Sequence, residues 1–177
     1  RPENDVALDN WRAARAALLE AGFVQRTLTN FERDTPADAR RFRYEPHSFR
    51  PHTCDALGFG PGAISGINFG TQTQPLKWIN HPTSAALHAS ANERRSPIAR
   101  MYVYEPFEDA LMQLTRGLAL LEVPTDAGTL ATHHAAFVPE LQILEEAELL
   151  MPIEGGLRLT ERGMFYADSV AGLLAWR

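Results

Sequence analysis

Asp55-Ala56-Leu57-Gly58-Phe59-Gly60-Pro61-Gly62-Ala63-Ile64-Ser65 is the stretch whose reading decides the fold. Three glycines alternate with bulky or rigid residues. Lacking a Cβ, Gly58, Gly60 and Gly62 let the backbone take φ > 0 or approach a ligand closely. Asp55 to Leu57 ahead of them, and Ala63-Ile64 behind, read as strand. The simplest picture is a strand that passes a ligand edge-on, bent and stiffened by Pro61. A dinucleotide fingerprint would need a helix opening directly after the glycines. Here Ile64 to Asn68 is followed by polar sequence, which rejects that reading. The competing reading is a bulged or tightly packed strand.

A chain of 177 residues makes one large or two small domains, and 45% hydrophobic residues suffice for a real core. The net charge of −5 gives no global sign of a nucleic-acid or membrane surface. Lys77 is the only lysine among 17 basic residues. Cys54 is the only cysteine, so no internal disulfide forms. No apolar run is long enough to span a bilayer, and there is no signal-peptide pattern. A start at Arg1 instead of Met is expected of a processed protein or a fragment.

Outward from the glycines, the chain predicts a helix capped by Asp5 or Asp9 and running to about Ala21, with Leu8, Trp11, Ala14, Leu18 and Leu19 on one face. Gly22 suits the C′ position. Phe23 to Phe31 alternates and is threonine-rich, predicting a strand. Asp34 to Asp38 reads as a turn. Ile67 to Pro82 reads as polar loop anchored by Trp78 and Ile79, followed by a short helix over Thr83–Asn92. Ser96-Pro97 marks a break, which places a boundary between domains 1–96 and 97–177. Beyond it, Phe107, Leu111, Leu114, Leu118 and Leu121 predict a helix over Glu105–Val123, stopped by Pro124. Shorter helices follow over Thr129–Val138 and Pro139–Leu150. Met151 to Thr160, turning at Gly155-Gly156, reads as a hairpin. Thr160 then caps a last helix to Ala175. Three helices, a hairpin and a helix make a winged-helix-like unit.

Candidate functional residues are sparse. Arg26, Arg33, Arg40, Arg41, Arg43 and Arg50 cluster with Phe42, Tyr44 and Phe49. Guanidinium pairs carboxylates in a bidentate fork, so the group reads either as an anion-binding surface or as a solvated basic hairpin. Basic residues among aromatics also suit single-stranded nucleic acid, which the negative net charge disfavours. His47, His52 and Cys54 are metal ligands in type, but no fourth ligand stands at a recognised spacing, so they read as loop residues. His133 and His134 point about 100° apart on a helix, which suits a capping or partly buried pair better than a shared ligand. The helix from Pro139 carries Glu140, Glu145, Glu146 and Glu148 and no base, so it would repel DNA phosphates.

Three stretches taken in order resemble one family: Thr27-Leu28-Thr29-Asn30-Phe31, then Leu57 to Ser65, then Leu157-Arg158-Leu159-Thr160-Glu161-Arg162-Gly163. They are similar to the C-terminal part of the oxygen-independent coproporphyrinogen III oxidases, the HemN-like radical SAM proteins. The likeness runs from about Asp9 to Val170. It implies an α+β chain: the last β/α elements of a partial radical SAM barrel, then a winged-helix-like C-terminal domain. It also implies a cytoplasmic enzyme. In the family, S-adenosylmethionine (SAM) is cleaved at a [4Fe–4S] cluster to a 5′-deoxyadenosyl radical. That radical abstracts hydrogen, for example from a propionate side chain before decarboxylation.

The resemblance assigns Gly58, Gly60, Gly62, Ala63 and Ile64 to the SAM site. It also makes Arg33, Arg41, Arg43 and Arg50 candidates for tetrapyrrole propionates. The family's cluster sits on a Cys-x3-Cys-x2-Cys motif. One cysteine cannot replace three thiolates, so the chain alone is expected to hold no cofactor and to be inactive. Its partners are then a small tetrapyrrole and the N-terminal barrel, with no nucleic acid and no membrane. Ile64 stands where many relatives carry His and where the oxidases proper often carry Ile. That favours an enzyme over the family's haem-chaperone branch. A methyltransferase of the family and a free-standing winged-helix interaction module compete with both.

Overall fold

A computed structural model describes residues 4–34, 41–50, 54–67 and 74–176. Helix α1 (Asn4–Glu20) ends where expected, with Gly22 at φ 81° and its N–H donating to Leu19 O at 3.0 Å. Of its predicted face, only Leu8 is buried; Ala14 and Leu19 are exposed. The helix is fastened instead by Trp11, 6.1 Å from the Phe165 ring, and by Arg12 and Arg15, which donate to Glu161 at 3.0 and 3.1 Å.

The strand predicted over Phe23–Phe31 is two strands. β1 (Phe23–Gln25) and β2 (Phe31–Arg33) pair antiparallel around a turn. The threonines explain the break. Thr27 is fully buried and its Oγ1 accepts from the Asn30 N–H at 3.1 Å, a local bond that competes with a ladder. Thr27 and Thr29 both donate to the Glu45 carboxylate, which fixes the short helix α2 (Tyr44–Ser48) against the turn. Leu28 donates to Ala119 O at 3.0 Å and packs on the helical core. Part of the turn predicted over Asp34–Asp38 lies outside the described residues.

The glycine stretch is not a through-running strand of either predicted kind. Ala56 forms a single antiparallel bridge to Gly66, and β3 (Ile64–Ile67) begins only after the glycines. Gly60 at φ 100° and Gly62 at φ 66° reverse the chain, so residues 56 to 66 close a loop on themselves. The polar loop predicted after Ile67 contains β4 (Leu76–Asn80), the central strand of a sheet ordered β3-β4-β5. Trp78 and Ile79 are thus strand residues. A five-residue run amid polar sequence shows no period of its own; its partners define it. Helix α3 (Ser84–Asn92) is capped by Thr83 Oγ1 as its sequence suggests. β5 (Ile98–Val103) follows the Ser96-Pro97 break and pairs with β4.

Helix α4 (Pro106–Ala119) stops short of the predicted Val123. The leucine spacing continues, but Leu120 and Leu121 N–H groups bond back to Gly117 and Leu118 at 2.9 Å, and Leu121 takes φ 76°. β6 (Glu122–Pro124) then returns along the helix, so Pro124 ends a strand and does not stop the helix. Gly117 permits the close return, since a Cβ there would lie 2.5 Å from Val123 Cγ2. α5 (Gly128–His133), a 3-10 turn over His134–Phe137 and α6 (Val138–Glu146) follow. α6 ends before Leu150 because Glu148 at φ 57° turns the chain into β7 (Leu150–Ile153). β7 and β8 (Gly156–Leu159) form the predicted hairpin, and β6 extends it to a sheet ordered β6-β8-β7. The last predicted helix is two, α7 (Glu161–Phe165) and α8 (Ala167–Ala175), with Thr160 as the cap of α7.

Leu114, Leu118, Leu141, Leu144 and Leu159 share one core with Phe137 and Leu174, and Leu111 lies at its rim. The fold mixes helices with small sheets, and every pairing among the described strands is antiparallel. No helix among the described residues is long and apolar enough to cross a membrane.

Candidate functional site

The glycine loop is held from beneath. Gly58 N–H donates to Ser65 Oγ at 3.0 Å, and the buried Asn80 amide donates to Gly60 O at 3.1 Å. Gly62 N–H bonds His81 O at 2.8 Å, and Asn80 N–H bonds Ala63 O at 3.0 Å. Gly58 has a packing reason: a Cβ there would lie 2.4 Å from Ile64 O. Gly60 and Gly62 have a conformational one, their positive φ. With its polar groups bound inward, the loop leaves Leu57, Phe59 and Ile64 exposed. Apolar groups held open beside a cavity mark a site for a ligand.

That cavity measures about 490 Å³. The glycine loop and the sheet form one side, with Gly58, Ala63 and Ile64 in the wall. Phe49, just after α2, and Met112 from α4 close the other. Lys77, Tyr104 and Arg116 supply its polar groups together with Tyr44, Cys54 and two serines. Lys77 Nζ stands 5.9 Å from the Tyr102 ring centre, and the Arg116 guanidinium lies 5.2 Å from that of Phe49. Burial pushes the Tyr104 hydroxyl above the usual tyrosine range, with Arg116 opposing, so it is a protonated donor at neutral pH.

The sequence-predicted residues scatter. Gly58, Ala63 and Ile64 line the cavity, while Gly60 and Gly62 shape the turn beside it. Arg33 lies 5.5 Å from the Phe23 ring, and Arg26 pairs with Asp34 at 2.8 Å. Arg41 and Arg43 are exposed and stand outside the lining. Arg50 lines a second cavity of about 260 Å³ with Gln113 and Glu122. Arg40 and His52 lie outside the described residues. His47 Nδ1 meets Cys54 Sγ at 3.2 Å, but no group of three potential metal ligands occurs among the described residues. His133 and His134 are half-buried, and His133 packs edge-on against Phe107 at 6.0 Å. Lys77, Tyr104 and Arg116 were not legible as a group, because they come from separate parts of the chain and meet only in the lining of one cavity.

No family model matches the chain. Its sequence is similar to the radical S-adenosyl methionine domain-containing protein 1, mitochondrial, of Bos taurus: 26% identical over 190 residues, covering 96% of this chain and 39% of that protein. Its fold is similar to the Escherichia coli structure described as coproporphyrinogen III oxidase (HemN), a radical SAM enzyme. The TM-score is 0.67 at 15% identity, over 99% of this chain and 42% of that one. The chain therefore spans about two-fifths of each relative's length. The resemblance to HemN-like radical SAM proteins is borne out in sequence and in fold.

Proposed function

We propose that the chain is the C-terminal segment of a cytoplasmic radical SAM enzyme resembling oxygen-independent coproporphyrinogen III oxidase. In this reading the β3-β4-β5 sheet closes a partial barrel whose other elements lie in an N-terminal part. The helices and hairpin from α4 onward form a winged-helix-like cover. The observation that carries the reading is the glycine loop, tied down by Asn80 and Ser65 and forming one wall of a large open cavity.

The residues present do not fit an iron–sulfur cluster. Cys54 is the sole thiol, and no group of three ligands occurs among the described residues. Reconstitution of this chain with iron and sulfide under anaerobic conditions is expected to leave no cluster absorbance after desalting. A stoichiometric cubane signal would contradict the reading. SAM fits better. The cavity has the volume for a drug-sized ligand, and its wall joins apolar Ile64 to the polar groups of Lys77, Tyr104 and Arg116. When bound at a cluster held elsewhere in the protein, SAM supplies radical hydrogen abstraction. The work of this chain is to bind and orient: Ala63 and Ile64 present the ligand face, and Gly58 keeps the loop tight against β3.

The test moves from the glycines to a side chain. Valine at Gly62 would strain a backbone at φ 66° whatever the ligand does. Ile64 is more than half exposed, so Ile64→Asp leaves the core alone while placing a charge in the wall. In the full-length protein this substitution is expected to weaken SAM about tenfold or more by calorimetry, the cost of setting an unpaired charge against an apolar group. Unchanged affinity in a folded variant would remove the loop from the SAM site. A nucleic-acid partner is not proposed, since α6 and the turn after it set four glutamates where a winged helix would meet phosphate.

A further inference from the structure

We propose that Lys77 and Arg116 form a carboxylate-binding pair in the larger cavity, gripping an acid group of the ligand whose body rests on the glycine loop. The inference rests on the reading of that cavity as the ligand site. Both side chains line it, one from the central strand and one from α4. Neither takes part in an ion pair or hydrogen bond with any described residue. Elsewhere arginines such as Arg12, Arg26 and Arg158 are paired with acids.

Each cation is held by an aromatic ring and not by a counter-ion. The Arg116 guanidinium packs on Phe49, and a stacked guanidinium still offers its N–H edge for a bidentate acceptor. Lys77 pairs across β4 with Gly66 on one side and Tyr102 on the other. Gly66 has no side chain to cover the ammonium, and nothing stands within 4 Å of where its Cβ would be. Tyr104 adds a neutral hydroxyl donor to the same wall. Phe49, Leu76 and Met112 add apolar surface to the same lining. The ligand class is a molecule that joins a flat ring system to a carboxylate.

That chemistry has two sources, the propionates of a tetrapyrrole and the aminocarboxylate of SAM. The test titrates the full-length protein by calorimetry with coproporphyrin III, with its tetramethyl ester and with SAM. Lys77→Met, Arg116→Gln and their double variant are compared with Lys77→Arg and Arg116→Lys. The double variant is expected to bind the free acid at least about tenfold more weakly and the ester unchanged, with the charge-retaining variants near wild type. If SAM alone binds and depends on the pair, the subsite stands while the tetrapyrrole reading fails. If wild type binds none of the three, or if acid and ester weaken equally, the proposal is overturned.

Discussion

Leu114→Ala is expected to destabilise the chain by about 2–5 kcal/mol in urea denaturation, the range for truncating a buried leucine. Leu114 is fully buried near the middle of α4, and it belongs to the core shared by α5, α6, the β6-β8-β7 sheet and α8. Four elements converge there, so little can collapse into the vacated space, and the cavity term persists. Leu144, buried on α6 in the same core, should give a loss of the same size. Leu111, one turn before Leu114, provides the comparison. It lies at the rim, partly exposed, and Leu111→Ala should lose about half as much or less. Equal losses at 111 and 114 would mean that the core is not centred where the fold puts it. A loss below about 1 kcal/mol at Leu114 would mean that the helices do not pack as described.

The leucines of α4 were legible because a 3.6-residue period survives any detail of the tertiary fold. Hairpin β7–β8 was legible because Gly155-Gly156 separates two short apolar runs. What failed was local structure decided by partners. Nothing in Leu76 to Asn80 announces a central strand until β3 and β5 flank it. Nothing in Phe23 to Phe31 shows that Thr27 will spend its hydroxyl on Glu45, eighteen residues away. The same holds at the site. The glycine loop stood out because glycine has one physical meaning, freedom from a Cβ. Lys77 and Arg116 are 39 residues apart in sequence, and neither belongs to a motif. The arginine cluster stands out in sequence by density alone, yet Arg26 pairs with an acid and Arg33 lies over an aromatic ring.

Resemblance motifs carry structure as much as chemistry. Leu157 and Leu159 are core residues, and Thr160 Oγ1 caps α7 by accepting from the Gly163 N–H at 2.9 Å. Glu161 anchors α1 through two arginines, and Arg162 donates to Ala147 O at 3.0 Å. The stretch from Leu157 to Gly163 thus serves to lock α1, α6 and β8 together.

Gly163 gives the sharpest test of that conclusion. In a helix, Gly→Ala ordinarily gains up to about 1 kcal/mol, because alanine loses less backbone entropy on folding. At Gly163 the opposite is expected. A Cβ there would lie 1.8 Å from Leu149 O and 2.8 Å from its carbonyl carbon, and backbone cannot swing aside as a side chain does. Leu149 O is moreover already engaged by the Thr160 N–H at 3.1 Å. Relief of the clash would pull α7 away, breaking the Thr160 cap and drawing Glu161 from Arg12 and Arg15. Gly163→Ala should therefore lose about 3 kcal/mol or more, at the upper end for overpacked sites, and abolish a cooperative thermal transition in a marginal chain. Gly172 on α8 is the control. Its Cβ would meet open space, so Gly172→Ala should leave the melting temperature unchanged or raise it. If both substitutions stabilise, α7 does not sit on Leu149, and the glycine of the motif needs another explanation. If only Gly163→Ala fails, the motif is a packing device, and the chemistry of this chain must be sought at the cavity beside the glycine loop.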